Sequence, residues 1–321
     1  MDGLQVLKIR KHTSLLQRFP EVVSATNLDR QRSTTLVYGR SIDAVAVQAI
    51  EEAYGESLEL TAAWKVGQYD CLLLATPYSL LLEQCVSHAQ LDIADLSQLP
   101  DLREPGLVVM DMDSTAIEIE CIDEIAVLAG VGEQVAEVTE RAMQGELDFE
   151  QSLRQRVATL SGSDASILEQ VKSQLPFMPE LRELVATLHH YGWKAAIASG
   201  GFTYFSDHLK QELDLAHAQS NTLEIVDGKL TGKVLGEVVD AQAKASILRS
   251  LAEQYDIAPH NTVAIGDGAN DLVMINAAGL GVAYHAKPKV EDEAPVAIRY
   301  ADLGGLICVL SASLLPQQLG W

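Results

Sequence analysis

The sequence predicts an α/β protein built on a doubly wound parallel sheet, preceded by a small α+β domain. The second part of the chain carries four short runs of consecutive apolar residues, as expected for parallel strands buried on both faces: 107–110, 193–198, 262–265 and 280–284. Helical patterns lie between these runs, at 179–190, 241–255 and 271–278. Because strands alternate with helices, a doubly wound sheet is the expected arrangement.

The first part of the chain has a different order of elements. Its pattern predicts a strand at 35–39, a helix at 41–54 capped by Ser41 or Asp43, strands at 58–65 and 70–76, and a helix at 78–90. Residues 1–34 show no regular pattern, so we assign them no structure. Turn residues cluster at 99–106, where we place the boundary between an N-terminal domain, 1–100, and a second domain, 101–321.

Residues 116–178 form an interval far longer than one crossover helix needs. Helical patterns fill it, at 120–129, 133–144, 149–160 and 165–174. An all-helical insertion after the first strand of the sheet lies over the edge where such sheets bind ligands, so we expect a helical cap. A turn signal at 226–229 predicts a hairpin within 223–239.

Composition disfavours several classes of function. The formal net charge of −22 disfavours a nucleic-acid partner, since phosphate backbones attract lysine and arginine. No apolar run reaches the roughly 20 residues of a membrane span, and the N-terminus lacks the apolar core of a secretory signal. The four cysteines are scattered without metal-type spacing, which indicates reduced thiols in a cytoplasmic protein.

Acidic residues gather where the predicted strands end. Asp111 and Asp113 follow the first strand, and Asp267 and Asp271 follow the third. Open α/β sheets bind ligands beyond the carboxyl ends of their strands, so these carboxylates are expected at one edge. Carboxylates held together without matching bases indicate a bound cation, and oxygen ligands suit Mg²⁺. The absence of a histidine or cysteine cluster from the sequence argues against zinc.

Other residues at the same edge suit a phosphoryl group, whose oxygens need cations and backbone N–H donors. In this interpretation Lys244 supplies the charge, Ser199 a hydroxyl, and a turn at Gly200 the backbone amides at a helix N-terminus. The sequence contains neither a P-loop nor a G-x-S-x-G elbow, which disfavours a P-loop nucleotide site and an α/β-hydrolase site.

These motifs resemble those of the haloacid-dehalogenase-like phosphohydrolases. Asp-Met-Asp-Ser-Thr at 111–115 is similar to their D-x-D-x-T signature, and Ser199, Lys244 and the segment 266–271 match the later motifs in order. Within this superfamily, the segments 120–125 and 149–157 resemble the bacterial phosphoserine phosphatases. The N-terminal domain is more loosely similar to an ACT-like fold.

The resemblance implies a mechanism. Asp111 would be the nucleophile that forms an aspartyl-phosphate, and Asp113 would be the general acid and base. Mg²⁺ would be held by the carboxylates of Asp111 and Asp267 and by the main-chain carbonyl of Asp113. Further residues would bind the phosphoryl group or organise its surroundings: Ser199, Gly200, Lys244, Asn270, Asp271 and Thr115.

The resemblance also implies the substrate, O-phospho-L-serine, hydrolysed to L-serine and phosphate in the last step of serine biosynthesis. The cap would select this substrate. Glu120 would pair with its ammonium group, and Arg156 would clamp its carboxylate. Met143 and Phe149 would belong to the apolar lining of the cap.

Three other hypotheses stay open. In the first, the enzyme acts on another small phosphomonoester. Replacing Arg156 distinguishes this hypothesis, because the change should weaken turnover of phosphoserine far more than that of a substrate without a carboxylate. In the second, the chain is a receiver-like signalling module whose strand-end aspartate only accepts a phosphoryl group. Asp113 argues against that hypothesis, because it is a second acid placed to activate water. In the third, the N-terminal domain senses an amino acid or forms the interface of a homodimer.

Overall fold

The computed structural model describes residues 5–314. The outer ends of the two predicted domains, 1–4 and 315–321, lie outside the described residues. The described part of the segment 1–34, to which we assigned no structure from the sequence, contains short elements: β1 (Ile9–Arg10), α1 (Thr13–Arg18), α2 (Glu21–Ser24) and α3 (Asn27–Arg32). Leu15, Phe19 and Val22 are buried here against a sheet face, so this segment belongs to the folded core.

We call residues 5–95 the N-terminal module. It continues with β2 (Thr35–Gly39), α4 (Ala44–Tyr54), β3 (Leu60–Val66), β4 (Tyr69–Leu74) and α5 (Leu80–His88), in the predicted order. Asp43 caps α4 by accepting a hydrogen bond from the backbone N of Ala46. A further strand, β5 (Asp92–Asp95), completes a βαββαβ order with antiparallel neighbours. The ACT-like assignment stays a prediction.

We call residues 116–178 the helical insertion. It follows β6 (Leu107–Met110) and holds four helices where four were predicted: α6 (Cys121–Leu128), α7 (Gly132–Met143), α8 (Phe149–Thr159) and α9 (Ser166–Ser173). Its two connections to the sheet pair with each other, since Ile117 bridges Phe177. That the insertion acts as a cap over a substrate stays a prediction.

Helices and strands then alternate, apart from two consecutive strands. The elements are α10 (Leu181–His190), β7 (Lys194–Phe202), α11 (Thr203–Leu213), β8 (His217–Val226), β9 (Lys229–Leu235), α12 (Ala241–Gln254), β10 (Thr262–Gly266), α13 (Leu272–Ala277), β11 (Leu280–Tyr284), α14 (Pro288–Glu293), β12 (Val296–Ile298) and α15 (Gly305–Ser311). β8 and β9 form the predicted hairpin. Within residues 5–314, no helix combines the length and the apolar character that crossing a bilayer requires.

The strands form one mixed sheet, in the order β1-β3-β4-β2-β5-β12-β11-β10-β6-β7-β8-β9. From β12 to β8 neighbouring strands are parallel, which confirms the predicted α/β class. β5 pairs with β12, so the N-terminal module extends the core sheet. The buried carboxylate of Asp92 fixes this joint by accepting hydrogen bonds from the backbone N of Arg299 and of Ala301, at 2.7 and 2.8 Å. The domain boundary at residue 100 stays a prediction.

The N-terminal module also covers the last described α-helix. All residues of α15 are buried, and this helix packs on β2, β3 and β4, where Trp64 Nε1 donates to Ser311 Oγ at 2.8 Å. Deleting residues 1–100 would expose this apolar helix and one edge of β12. We expect the shortened chain to unfold roughly 10 °C or more below the full chain, since burying each large apolar side chain contributes about 1.5–3 kcal/mol. Thermal unfolding of both chains measures the difference, and equal midpoints would contradict the expectation.

Candidate active site

Adjacent strands bring the predicted site residues together. β6 lies between β10 and β7, so the carboxyl ends of these parallel strands meet at one edge of the sheet. Asp111 and Asp113 follow β6, Asp267 follows β10, and Ser199 lies near the end of β7. The residues of β6 that lead to the two aspartates are fully buried and apolar, which fixes the position of the strand end. The four side chains therefore converge, as the strand-end argument predicts.

Three carboxylates lie close enough to share one metal ion. One oxygen from each of Asp111, Asp267 and Asp271 lies within 4.8 Å of the others. Burial and the charge of Asp111 raise the pKa of Asp267 to about 6, and the same causes raise the pKa of Asp271. Only Lys244 forms ion pairs with this group among the described residues, which leaves an excess of negative charge. The group therefore fits a divalent cation.

Lys244 lies in the first turn of α12 and is completely buried. Its Nζ atom is 2.8 Å from Asp111 Oδ2 and 2.7 Å from Asp271 Oδ1. Burial acts to lower the pKa of the lysine, but the two carboxylates outweigh it, so the pKa is raised and the ammonium stays charged. Asp271 Oδ2 accepts a hydrogen bond from the backbone N of Gly268 at 3.0 Å, which holds this carboxylate beside the lysine.

Asp113 lies where the chain leaves the core for the helical insertion. Its Oδ1 accepts a hydrogen bond from the backbone N of Cys121 at 3.4 Å. A Cβ atom at Gly201 would be only 2.8 Å from Asp113 Oδ2, so glycine lets the end of β7 approach this carboxylate. Burial, followed by the charges of Glu120 and Asp111, raises the pKa of Asp113 well above its ordinary value. A raised pKa favours the protonated form of a carboxyl group, which is the form that a general acid needs.

Residues 199–201 lie at the end of β7, which corrects the prediction of a turn there. The strand continues to Phe202 with irregular pairing to β8, and α11 begins directly afterwards. Ser199 Oγ accepts a hydrogen bond from the backbone N of Gly201 at 3.0 Å. A Cβ atom at Gly200 would be 2.6 Å from the ring of Phe149, so this strand end touches the helical insertion closely. The extended backbone at the end of β7 therefore brings the core into contact with the helical insertion.

A cavity of about 310 Å³ lies between the strand ends and the helical insertion. The core contributes Asp111, Asp113, Ser199, Gly200, Gly201, Phe202, Asp267, Gly268, Ala269, Asn270 and Lys287 to its lining. The insertion contributes Glu120, Ile122, Phe149, Leu153 and Arg156. The two sets differ in character, because the core side carries the converging carboxylates and the insertion side carries one carboxylate, one guanidinium and apolar groups.

The two charged groups that the insertion contributes to the cavity are Glu120, just before α6, and Arg156, on α8. Glu120 precedes α6 and accepts a hydrogen bond from Ser114 Oγ at 2.9 Å; burial raises its pKa. Arg156 lies on α8, and its buried Nε atom has no hydrogen-bond partner among the described residues. Burial lowers the pKa of this guanidinium, against the opposing charges of Asp123 and Glu120. A buried donor without an acceptor is costly, so this N–H group suits an acceptor supplied by a ligand.

The structure does not bring Met143 into the cavity, so its predicted place in the apolar lining is wrong in this arrangement. Met143 is the last residue of α7, and its side chain is 75% exposed. Phe149 does line the cavity, as predicted. Thr115 does not line it, but its buried Oγ1 donates to Asp267 Oδ1 at 3.2 Å and so supports the carboxylate group.

Lys287 is an exposed cation at the rim of the cavity that was not predicted from the sequence. It follows β11 and precedes α14, at the edge of the sheet where the other site residues lie. Its place after a predicted strand was the available signal. That signal is weak, since lysines are common on surfaces.

Comparison with known families identifies the class of protein. A family model described as haloacid dehalogenase-like hydrolase matches residues 105–279, a range that holds the strand ends and the helical insertion. A second model, a domain of unknown function (DUF5609), matches residues 31–95 of the N-terminal module. Fold, site and family model together define a haloacid dehalogenase-like hydrolase.

Individual relatives narrow this class. The chain is 60% identical to the phosphoserine phosphatase of Vibrio cholerae, over 100% of this chain and 98% of the relative. It is 49% identical to the phosphoserine phosphatase of Haemophilus influenzae, over 96% and 99%. The crystal structure of a probable phosphoserine phosphatase from Vibrio cholerae superimposes with a TM-score of 0.92 and 59% identity, over 99% of this chain and 98% of that chain. The chain belongs to the phosphoserine phosphatase family of these hydrolases, and the protein is a phosphatase.

Proposed function

We propose that the protein hydrolyses O-phospho-L-serine to L-serine and phosphate, with Mg²⁺ and through an aspartyl-phosphate on Asp111. The reaction would be the last step of L-serine biosynthesis, in the cytoplasm. One observation carries the proposal: Asp111, Asp113 and Ser199 line one side of a cavity, and Glu120 and Arg156 line the other. A carboxylate and a guanidinium are the complements of an amino acid's ammonium and carboxylate groups. The activity of the named relatives supports the same substrate.

The Nε atom of Arg156, which has no hydrogen-bond partner within residues 5–314, supports an amino-acid substrate over a simpler phosphomonoester. A substrate carboxylate would accept hydrogen bonds from this guanidinium and so remove the cost of the buried donor. A phosphomonoester without a carboxylate would leave that donor unpaired. The cavity volume of about 310 Å³ is sufficient for a ligand of this size.

In the first step, a carboxylate oxygen of Asp111 attacks phosphorus, and the bond between phosphorus and the serine oxygen breaks. Lys244, 2.8 Å from Asp111 Oδ2, orients the nucleophile and adds positive charge beside the phosphoryl group. Asp113 gives its proton to the departing serine oxygen, and its raised pKa supports this role. Ser199 and backbone N–H groups near Gly200 would contact the phosphoryl oxygens, with Asn270 at the edge of the same region.

In the second step, Asp113 is ionised and accepts a proton from a water molecule whose oxygen attacks phosphorus. The bond between phosphorus and Asp111 breaks, which restores the carboxylate and releases phosphate. A group that acts first as an acid and then as a base removes the intermediate quickly. A receiver-like module needs a long-lived phosphoaspartate. Asp113 lines the same cavity as Asp111 and would promote hydrolysis of that intermediate, which disfavours the receiver-like alternative.

The carboxylates of Asp111 and Asp267, together with the main-chain carbonyl of Asp113, would hold Mg²⁺. The approach of the carboxylate oxygens to within 4.8 Å and their excess of negative charge support this assignment. When bound, the ion would neutralise charge on the phosphoryl oxygens and on the surrounding acids. Asp271 would act indirectly, because it accepts a hydrogen bond from Lys244 and so holds that side chain in place.

Replacing Arg156 by alanine tests the choice of substrate. Phosphoethanolamine is phosphoserine without its carboxylate, so it cannot use this guanidinium. We expect kcat/KM for phosphoserine to fall roughly 100-fold, because charge-assisted hydrogen bonds contribute about 1.5–3 kcal/mol each. The value for phosphoethanolamine should change much less. Steady-state phosphate release from both substrates measures the difference.

Arg154 provides the matched control for this test. It lies on the same helix, α8, but is exposed and pairs with Glu150. Arg154→Ala should leave both substrates almost unaffected. If Arg156→Ala lowered kcat/KM equally for phosphoserine and phosphoethanolamine, Arg156 would not bind the substrate carboxylate, and another phosphomonoester would become the better candidate.

The N-terminal module stays a separate question. Leu80 and Leu81 of α5 are more than half exposed, which supports the hypothesis that this module forms the interface of a homodimer. Amino-acid sensing by the module also stays a prediction.

A further inference from the structure

The helical insertion returns to the core through residues 176–178, which we call the exit connection. This segment pairs with the entry connection, 113–118: Ile117 bridges Phe177, and the backbone N of Glu118 donates to Pro176 O at 3.0 Å. The entry connection starts at Asp113, whose backbone bridges Ile117. The two connections are therefore tied together, and they are the covalent joints between the insertion and the core.

Glu180 lies two residues beyond the exit connection and has a left-handed backbone, with φ of 64°. This conformation is uncommon for a residue with a side chain and persists only where the surroundings hold it. Although Glu180 precedes α10, its side chain does not cap that helix. It accepts hydrogen bonds from Gln68 Nε2 at 2.6 Å, the Tyr69 hydroxyl at 2.7 Å and the backbone N of Gly304 at 3.2 Å.

The first two of these donors belong to the N-terminal module, at the turn between β3 and β4. The ring of Tyr69 is buried, and its hydroxyl also accepts a hydrogen bond from the backbone N of Asp302 at 3.1 Å. Arg40 of the module forms an ion pair with Asp302. A Cβ atom at Gly304 would be 2.3 Å from Glu180 Oε2, so glycine leaves space for this carboxylate. Glu180 is therefore held from both the module and the core.

We propose that Glu180 is a positioning residue through which the N-terminal module fixes the helical insertion over the cavity. The proposal rests on the proposed function, in which Glu120 and Arg156 of the insertion bind the amino-acid part of the substrate. The nucleophile, Lys244 and Ser199 lie on core elements instead. Removing a hydrogen bond that holds Glu180 should therefore weaken the binding of phosphoserine more than it slows phosphoryl transfer.

Tyr69→Phe removes one hydroxyl from this contact, and Tyr78→Phe is its matched control. The Tyr78 hydroxyl also donates to a carboxylate, that of Glu83, but this pair lies within the module and does not touch Glu180. We expect Tyr69→Phe to raise KM for phosphoserine roughly fivefold or more, a typical coupling between two sites, with little change in kcat. KM for p-nitrophenyl phosphate, which lacks the amino-acid groups, should not change. Tyr78→Phe should change neither value.

Glu180→Gly and Glu180→Ala separate positioning from stability. Both remove the carboxylate, but only glycine adopts the left-handed backbone without strain. The glycine variant should therefore unfold at a higher temperature than the alanine variant. If the carboxylate of Glu180 positions the helical insertion, both variants should raise KM for phosphoserine equally. A KM that follows the order of the unfolding temperatures would overturn the proposal, because it would indicate a purely structural role.

Amide hydrogen exchange gives a readout that needs no catalysis. Exchange at 114–118 and 177–178 should be faster in Tyr69→Phe than in Tyr78→Phe and the unmodified protein. Failure of the unmodified protein to hydrolyse phosphoserine would end the proposed function, and the exchange rates would still test the contact. Equal exchange in the two variants would overturn the positioning role.

Discussion

Replacing Asp111 by asparagine should abolish the release of phosphate. Asparagine keeps the size of the side chain, but its amide does not attack phosphorus, so no aspartyl-phosphate forms. We expect kcat to fall by roughly 10⁴-fold or more, the scale observed when a covalent nucleophile is removed. The substitution also removes one of the two carboxylates that contact Lys244. Phosphate release at saturating phosphoserine and Mg²⁺ measures the loss.

Asp92→Asn is the matched control for this substitution. Asp92 is 1% exposed and Asp111 is 5% exposed, so both changes remove a buried carboxylate. Asp92, however, binds backbone N–H groups at the joint between β5 and β12 and does not line the cavity. Its variant should lose thermal stability and keep its turnover number. A folded Asp111→Asn variant with full activity would show that Asp111 is not the nucleophile.

Replacing Asp113 by asparagine should have the second largest effect. The serine oxygen is a poor leaving group that needs a proton, so we expect kcat for phosphoserine to fall roughly 10²- to 10⁴-fold, the usual range for general acid–base catalysis. The nitrophenolate of p-nitrophenyl phosphate leaves without a proton. The first step with that substrate should therefore be nearly unaffected, whereas the attack of water should still be slow.

Rapid mixing with p-nitrophenyl phosphate resolves these two steps. The Asp113→Asn variant should release about one equivalent of nitrophenol quickly and then turn over slowly, because the aspartyl-phosphate accumulates. The Asp111→Asn variant should show no such burst. If Asp113→Asn lost activity equally on both substrates and showed no burst, Asp113 would have no role in proton transfer.

The core strands and the strand-end acids were predictable because their signals are local. An apolar run such as 107–110 is buried on both faces, and the residues that follow it must lie at the edge of the sheet. The convergence of Asp111 and Asp267 then follows from the neighbouring positions of β6 and β10. Spacing along the chain did not reveal the roles of these residues, which rested on the family resemblance.

The features that sequence analysis missed depend on contacts between distant parts of the chain. Strand β5 has a short and mixed sequence, and its burial depends on β2 and β12 on either side. Met143 continues the apolar pattern of α7, yet its side chain faces solvent, since one helical pattern does not reveal which turns are covered. The contacts of Glu180 with Tyr69 and Gly304 likewise join residues that no local pattern relates.

Phosphate release from phosphoserine, measured with Mg²⁺ and again with a chelator in its place, decides whether the protein is a Mg²⁺-dependent phosphoserine phosphatase. Phosphoethanolamine and glycerol 3-phosphate serve as comparison substrates, because the first lacks the carboxylate and the second lacks both amino-acid groups. We predict release that depends on Mg²⁺, with kcat/KM for phosphoserine at least ~10-fold above both comparison substrates. If phosphoserine released no phosphate in the presence of Mg²⁺, or if kcat/KM were equal for all three substrates, the protein would not be a phosphatase specific for phosphoserine.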